Sequence, residues 1–417
     1  MFRRFLLSNG LRVVAERMPA HRSVTVGVWV NVGSRDEGPG EEGLSHFLEH
    51  MFFKGTRTRS AADISHEIDA LGGELNAFTT RETTTFYVKV LEPQLKPALA
   101  LLADLFLHSR FLPREVEKEK EVVLDELRMV QDDPEDFVQE LHAEQAMAPH
   151  PLARPILGRA ATIKALDRGS LLRYVGTHYH PGRTIIAVAG RFEVKNLVPW
   201  LEASFGAFDR PDGPGLRRWP PVVRGGLLVR RKPLEQAHLC LGLTGVPVTH
   251  KDRYAAHALN AVLGGSVSSR LFQEVREKRG LAYSIYSYLA SYSDGGLLTV
   301  YAATRPREAA RVLELICRQI RRLREDGVTR TELDRAKTQM KGGLLLSLES
   351  THSRMNHLAK DELHWGRRSS PEALLAEIDQ ISTEQVARVA DELLDAARLS
   401  ITVLGPVSER AVAAAIR

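Results

Sequence analysis

A chain of 417 residues is too long for one ordinary core and implies about two domains. Hydrophobic residues make up 43% and charged residues 26%, the balance of a soluble globular protein. Lys and Arg number 57 against 52 Asp and Glu, and a net charge of +5 over this length does not point to nucleic acid.

The run from Met1 to Leu7 begins like a secretion signal, but it stops at Ser8-Asn9-Gly10, far too short for an h-region. Asn9-Gly10 between Phe5-Leu6-Leu7 and Leu11 to Val14 predicts a β-hairpin turn instead. Val24 to Val32 alternates and predicts a strand. The loop around Gly38-Pro39-Gly40 leads into a helix ending near Gly55, and this helix carries His46-Phe47-Leu48-Glu49-His50. On a helix, His46 and His50 project from one face, and Glu49 can sit beside whatever the imidazoles hold. Two neutral imidazoles at that spacing suit Zn²⁺, which takes nitrogen, sulfur and carboxylate ligands in roughly tetrahedral geometry. The order His-x-x-Glu-His is the inverzincin signature. A catalytic zinc also needs a third protein ligand, an open position for water and a nearby base. Taken alone, the pentad fits an ordinary amphipathic helix equally well.

Ser60-Ala61-Ala62-Asp63 forms a capping box, and the helix it opens buries Ile64, Ile68 and Leu71 before Gly72-Gly73 ends it. Leu75 to Thr80 and Thr83 to Leu91 predict strands, followed by a helix with Leu95, Leu99, Leu102 and Phe106 inward. After Pro113 comes another helix, where Glu119, Val122, Val123 and Glu126 fall at i, i+3, i+4 and i+7 on one face. Acids alternating with valines make sense if the acids point into a buried polar site. Glu126 stands 76 positions after His50 (126 − 50). The pattern breaks at 132–136, and Thr184 to Gly190 closes the sheet as a buried strand.

Pro and Gly crowd the stretch 209–226, which predicts a linker between domains 1–208 and 227–417. In the second domain, Gln236 to Leu243 predicts a strand and Ala256 to Leu263 a helix. Glu332 to Lys337 aligns with Glu115 to Lys120 at an offset of 217, which turns Glu119 into Ala336 and Glu126 into Gly343 (126 + 217). The second domain thus reads as a copy of the first without its acids. Cys240 and Cys317 sit in apolar settings and give no disulfide framework, as in a reducing compartment. No run of 18 apolar residues occurs, so a cytoplasmic protein without a membrane span is expected.

The pentad followed by a Glu at this distance resembles the M16 (pitrilysin-type) metallopeptidases, especially the small branch that includes mitochondrial processing peptidase. Leu71 to Thr79 and Gly280-Leu281-Ala282-Tyr283-Ser284 extend the resemblance over nearly the whole chain. It implies an α+β fold of two similar domains, each a mostly antiparallel sheet packed with helices, together forming one half of a clamshell. It also implies one Zn²⁺ per chain on His46, His50 and Glu126, with Glu49 as general base. Glu119 would orient a ligand or support the base. Arg276 and Tyr283 would steady the oxyanion. Because the zinc domain of one half faces the second domain of the other, a homodimer is expected, with a heterodimer of related subunits as the alternative. Asn76, Ala77, Phe78 and Thr79 would offer a sheet edge to an extended peptide. Asp136 and Glu140 stand where processing-type relatives place acids that read an arginine near the cut. The expected activity is a zinc-dependent endopeptidase acting on unfolded or extended peptides, with no nucleic-acid or membrane partner. A non-catalytic partner subunit, expected to have lost the pentad or Glu126, and a peptide-capturing protein are the alternatives.

Overall fold

The computed structural model describes residues 1–415. The first half of the chain supplies strands β1 (Phe2–Leu6), β2 (Arg12–Arg17), β3 (Ser23–Val30), β4 (Glu74–Thr79), β5 (Thr84–Leu91) and β6 (Thr184–Gly190). Among them lie helices α1 (Leu44–Phe52), α2 (Ala61–Ala70), α3 (Leu95–His108), α4 (Pro113–Asp132), α5 (Pro134–Met147), α6 (Ala160–Ala165), α7 (Arg168–His178) and α8 (Val194–Phe205). The second half runs through β7 (Gly226–Arg230), β8 (Ala237–Gly245), α9 (Arg253–Leu263), β9 (Ala282–Ser291) and β10 (Gly296–Thr304). It continues with α10 (Ala309–Asp326), α11 (Arg330–Ser347), α12 (Thr351–Trp365), α13 (Pro371–Asp379), α14 (Thr383–Leu393), β11 (Ser400–Leu404) and α15 (Glu409–Ala415).

The two sheets share one plan. The first has the order β1-β2-β6-β3-β5-β4 and the second β7-β11-β8-β10-β9. The pairs β2–β6 and β7–β11 are parallel, and the pairs that follow in both sheets are antiparallel. Strand β1 is an addition, paired antiparallel to β2 across the turn where Gly10 takes φ 80°. Helix starts repeat as well: α4 at Pro113 and α5 at Pro134 recur 217 residues on as α11 at Arg330 and α12 at Thr351 (113 + 217 and 134 + 217). The fold is therefore α+β with two similar domains, each sheet mostly antiparallel.

Local chemistry sets the breaks. Ser60 and Asp63 form the reciprocal cap of α2, with Ser60 Oγ accepting from Asp63 N at 3.2 Å and Asp63 Oδ2 from Ser60 N at 2.8 Å. The break between α4 and α5 comes from Asp133 in an extended conformation, whose side chain accepts from the N–H groups of Glu135 and Asp136, followed by Pro134 at the first helical position. At the equivalent place Ser350 (133 + 217) caps α12 by accepting from Ser353 N.

Packing divides the chain differently from the continuous domains 1–208 and 227–417 expected above. One compact unit comprises Met1–Arg128, Pro155–Arg217 and Leu345–Arg368, the other Met129–Arg154, Arg218–Leu344 and Ser369–Arg417. The repeats exchange a helix. Met355, Leu358 and Ala359 of α12 pack with Val14, Trp29, Tyr87 and Ile185 on one face of the first sheet. Val138 of α5 packs with Cys240, Tyr301 and Leu404 on the second. Burying each of these larger apolar side chains contributes about 1.5–3 kcal/mol, so both sheets depend on a helix from the other half of the sequence. The expected linker 209–226 is also not free chain. Arg210 donates to the carbonyls of Val175 and Tyr179, while Val223 is buried and Arg224 N donates to Ala146 O at 2.8 Å. The opposite face of the first sheet carries α1, α3 and α4 around Phe47, Phe52, Phe86 and Phe106. That face is the floor under the candidate site.

Candidate metal centre

The nine residues of α1 are largely apolar, with Phe47, Leu48, Met51 and Phe52 buried against the sheet. Its start is unusual. The residue before it, Gly43, has φ 94° and no side chain to cap with, and the carboxylate of Glu37 does the work from a distance. Glu37 accepts from Gly43 N at 2.9 Å and Ser45 N at 2.7 Å. This fixes α1 with His46, Glu49 and His50 turned toward α4.

Helix α4 turns Val116, Val123 and Leu124 to the core and presents Glu119 and Glu126 to α1. Val122, expected on that same face, is 44% exposed; it lies on the solvent margin of the helix. Both imidazole Nε2 atoms, of His46 and His50, stand 3.6 Å from Glu126 Oε2. One ligand atom from each of the three residues lies within 4.8 Å of the other two. A gap of 3.6 Å is too long for a hydrogen bond, and ligands about 2.0–2.1 Å from a tetrahedral ion stand only about 3.3 Å apart. The donor set also suits the ion. Glu126 Oε2 and Glu49 Oε2 are buried without a hydrogen-bond partner, as atoms reserved for a cation and a substrate water would be. Two nitrogens and one carboxylate oxygen match zinc in a catalytic coordination.

The electrostatics are tuned around this spot. Burial, helped by the neighbouring His50, pulls His46 down to about 4, so its ring is neutral at pH 7 with a lone pair to give. Burial also pulls on His50, but the hydrogen bond to Glu119 and the charges of Glu126, Glu119 and Glu49 outweigh it and leave His50 raised. Burial pushes the Glu49 carboxyl up against hydrogen bonds from Thr79, which makes it a better proton acceptor than an ordinary glutamate. Glu119 is 1% exposed, yet it is held below the usual carboxylate range. There the burial penalty is overcome by hydrogen bonds from His50 and Lys54.

Sequence reasoning overlooked two contributors here. Glu37 is one acid in a loop full of them. Lys54, whose Nζ is 2.7 Å from Glu119 Oε2, carried a faint signal in standing four residues after His50 (50 + 4). Of the residues expected to bind substrate, those of β4 form an edge strand, paired among the described residues with β5 alone. Asn76 is exposed, Ala77 buried, Phe78 packs edge-on against Trp29 at 5.5 Å, and Thr79 is engaged with Glu49. Arg276 and Tyr283 belong to the second unit and meet each other there. The guanidinium lies 4.5 Å from the Tyr283 ring centre and 4.8 Å from that of Phe272, with Tyr283 76% exposed. Asp136 and Glu140 lie on α5 in that same unit, Asp136 exposed and raised first by burial and then by its acidic neighbours Asp133 and Glu135.

Residues 12–160 match the family model described as "Insulinase (Peptidase family M16)", and residues 165–340 match "Peptidase M16 inactive domain". The chain belongs to the M16 peptidase family. Its relatives span nearly the whole length. A Bacillus subtilis protein, "Uncharacterized zinc protease YmxG", is 44% identical over 94% of this chain and 96% of its own. A Streptomyces coelicolor protein, also named an uncharacterized zinc protease, is 41% identical over 98% and 90%. In structure, this M16 chain overlays a protease from Helicobacter pylori with a TM-score of 0.90 at 24% identity, covering 97% of this chain and 99% of that one. A Pseudomonas fluorescens protein described as a peptidase M16 inactive domain gives 0.92 at 20%, covering 98% of each. These two neighbours share the fold. As an M16 zinc-protease homologue the chain is a metalloprotease at family level. Among the described residues no helix is long and apolar enough to cross a membrane.

Proposed function

We propose that this M16 chain is a zinc-dependent endopeptidase that cuts unfolded or extended peptides. The observation that carries the reading is the convergence of His46, His50 and Glu126 from two helices on one point, with Glu49 beside it. His46, His50 and Glu126 would hold one zinc per chain. When bound there, zinc supplies a Lewis acid that lowers the pKa of a coordinated water to about 7 and polarises a carbonyl.

The rest falls to the protein's own groups. Glu49, raised by burial, takes a proton from the attacking water and delivers it to the leaving amine. Thr79, hydrogen-bonded to Glu49, holds that carboxylate in place at the end of β4. Glu119 receives Nδ1 of His50 at 2.8 Å and so directs the other nitrogen of the ring inward. The free edge of β4, through Asn76, Ala77, Phe78 and Thr79, takes an extended peptide by main-chain hydrogen bonds, which tolerates many sequences but excludes folded ones. Arg276 and Tyr283, already in contact through ring and guanidinium, donate to the oxyanion from a second copy of the chain. A homodimer is the assembly this requires, or a heterodimer with a related subunit. Asp136 and Glu140 select a basic residue near the cut. The site of action is the cytoplasm.

A purified sample with an internally quenched peptide tests the reading, with and without a chelator. Glu49→Gln should bind zinc as the parent does and lose roughly 10²–10⁴-fold in turnover. Cleavage by Glu49→Gln at the parent rate would remove Glu49 from its role, and cleavage undiminished by metal removal would end the zinc reading.

A further inference from the structure

The two oxygens of Glu119 are each held by a different residue. Oε1 faces His50 Nδ1 at 2.8 Å, and Oε2 faces Lys54 Nζ at 2.7 Å. Lys54 lies just beyond α1, with its backbone N–H on Met51 O at 3.2 Å. It precedes Gly55, whose φ of 110° is a conformation that residues with a side chain avoid. Lys54 thus sits where α1 ends, with its ammonium against Glu119 of α4.

We propose that Lys54 is a positioning residue for the metal centre: by pinning one oxygen of Glu119 it turns the other onto Nδ1 of His50 and leaves Nε2 as the metal-facing nitrogen. The inference rests on the zinc reading given above. A neutral imidazole donates through one nitrogen and accepts through the other, so a fixed acceptor at Nδ1 decides which nitrogen is free to ligate. The terminal torsion of a glutamate is broad and roughly two-fold, so a carboxylate held at one oxygen only can swing. Held at both, it cannot. Glu119 is also 1% exposed, and a carboxylate that far from water needs a full counter-charge, which His50, neutral whenever it ligates a metal, does not then give and Lys54 does. The lysine side chain keeps 31% of its surface in solvent, so its removal opens no cavity. Its loss therefore acts on the carboxylate rather than on packing.

Lys54→Met keeps the aliphatic stem and deletes the charge, and Lys54→Arg keeps the charge. Full-length protein stripped of metal is titrated with Zn²⁺ against a chromogenic chelator, zinc release is timed after excess chelator is added, and the metal-free melting temperature is recorded. Lys54→Met should bind zinc roughly ten- to hundredfold more weakly and release it correspondingly faster, with a metal-free melting temperature lowered because the Glu119 charge loses its partner. Lys54→Arg should stay close to the parent. In the Glu119→Gln background, Lys54→Met should add little further loss, because the two act as one unit. Parent-like zinc affinity in Lys54→Met, or losses that simply add in the double variant, would overturn the role of Lys54 while leaving the zinc site standing. A parent protein that binds no zinc would overturn the site and Lys54 together.

Discussion

The distant cap on α1 can be put to a local test. Glu37 is 4% exposed and spends both oxygens on backbone N–H groups at the start of α1, at 2.9 Å and 2.7 Å. Each hydrogen bond to a charged group contributes about 1.5–3 kcal/mol, and an anion at a helix N-terminus adds about 0.3–1 kcal/mol. Glu37→Gln keeps the volume, removes the charge and turns an NH₂ toward one of the two donors. One bond is then lost and the other weakened to a neutral one, a local cost of about 2 kcal/mol after the carboxylate's desolvation is credited back. That is a factor of about 30 in the opening equilibrium of the helix. Hydrogen exchange by mass spectrometry on metal-free protein reads this directly. Peptides covering 43–52 should lose about 30-fold in protection, while those covering α2, with its own Ser60–Asp63 cap, should not change. Equal protection of α1 in the variant and the parent would show that the carboxylate does not hold the helix start, and the account of how His46 and His50 are aimed would fail.

Two further outcomes follow from features away from the centre. Glu332 is held at about 2: burial opposes this, but the fork from Arg270, with Nε at 2.8 Å and Nη2 at 2.9 Å, and the Thr329 N–H overcome it. Its unfolded value is 4.5, so the pair's stabilisation is fully present above pH 4.5 and is lost as pH falls toward 2, on the order of 3 kcal/mol in all. Melting temperature against pH should therefore drop less steeply over that window in Glu332→Gln than in the parent, and parallel curves would rule the pair out. The exchanged helices make a different forecast. Residues 1–208 or 227–417 produced alone leave one sheet face without its covering helix and should be aggregated or unfolded, whereas co-expression should recover folded protein. A monodisperse, cooperatively melting fragment would refute it.

The sequence announced the centre because its chemistry is local. His46, Glu49 and His50 sit within one turn and a half of helix, and spacing alone places them on one face. Glu126 came from the face it shares with Glu119 together with the resemblance, and the face was read one residue too wide, since Val122 stands outside it. The offset of 217 located α11 in the second half, whereas the order of the strands in either sheet was not read from the sequence. Lys54 and Glu37 stayed hidden because a single charge in a sequence rich in charge has no period to betray it. The exchange of α5 and α12 stayed hidden for another reason. An amphipathic helix reveals that it has an apolar side, but not which of two equally apolar sheets that side will meet. Asp133 and Ser350 mark where each helix begins and say nothing of where it goes.

That exchange also sets an order of events during synthesis. Trp29 leaves the ribosome early, yet Met355, whose Sδ receives the indole N–H at 3.0 Å, follows 326 residues later (355 − 29). The first sheet is complete only once β6 ends at Gly190, so over the 165 residues that remain (355 − 190), at about 5–20 residues per second, it waits roughly 8–33 s with an apolar face bare. Over that interval the nascent chain is the kind of client on which holding chaperones act.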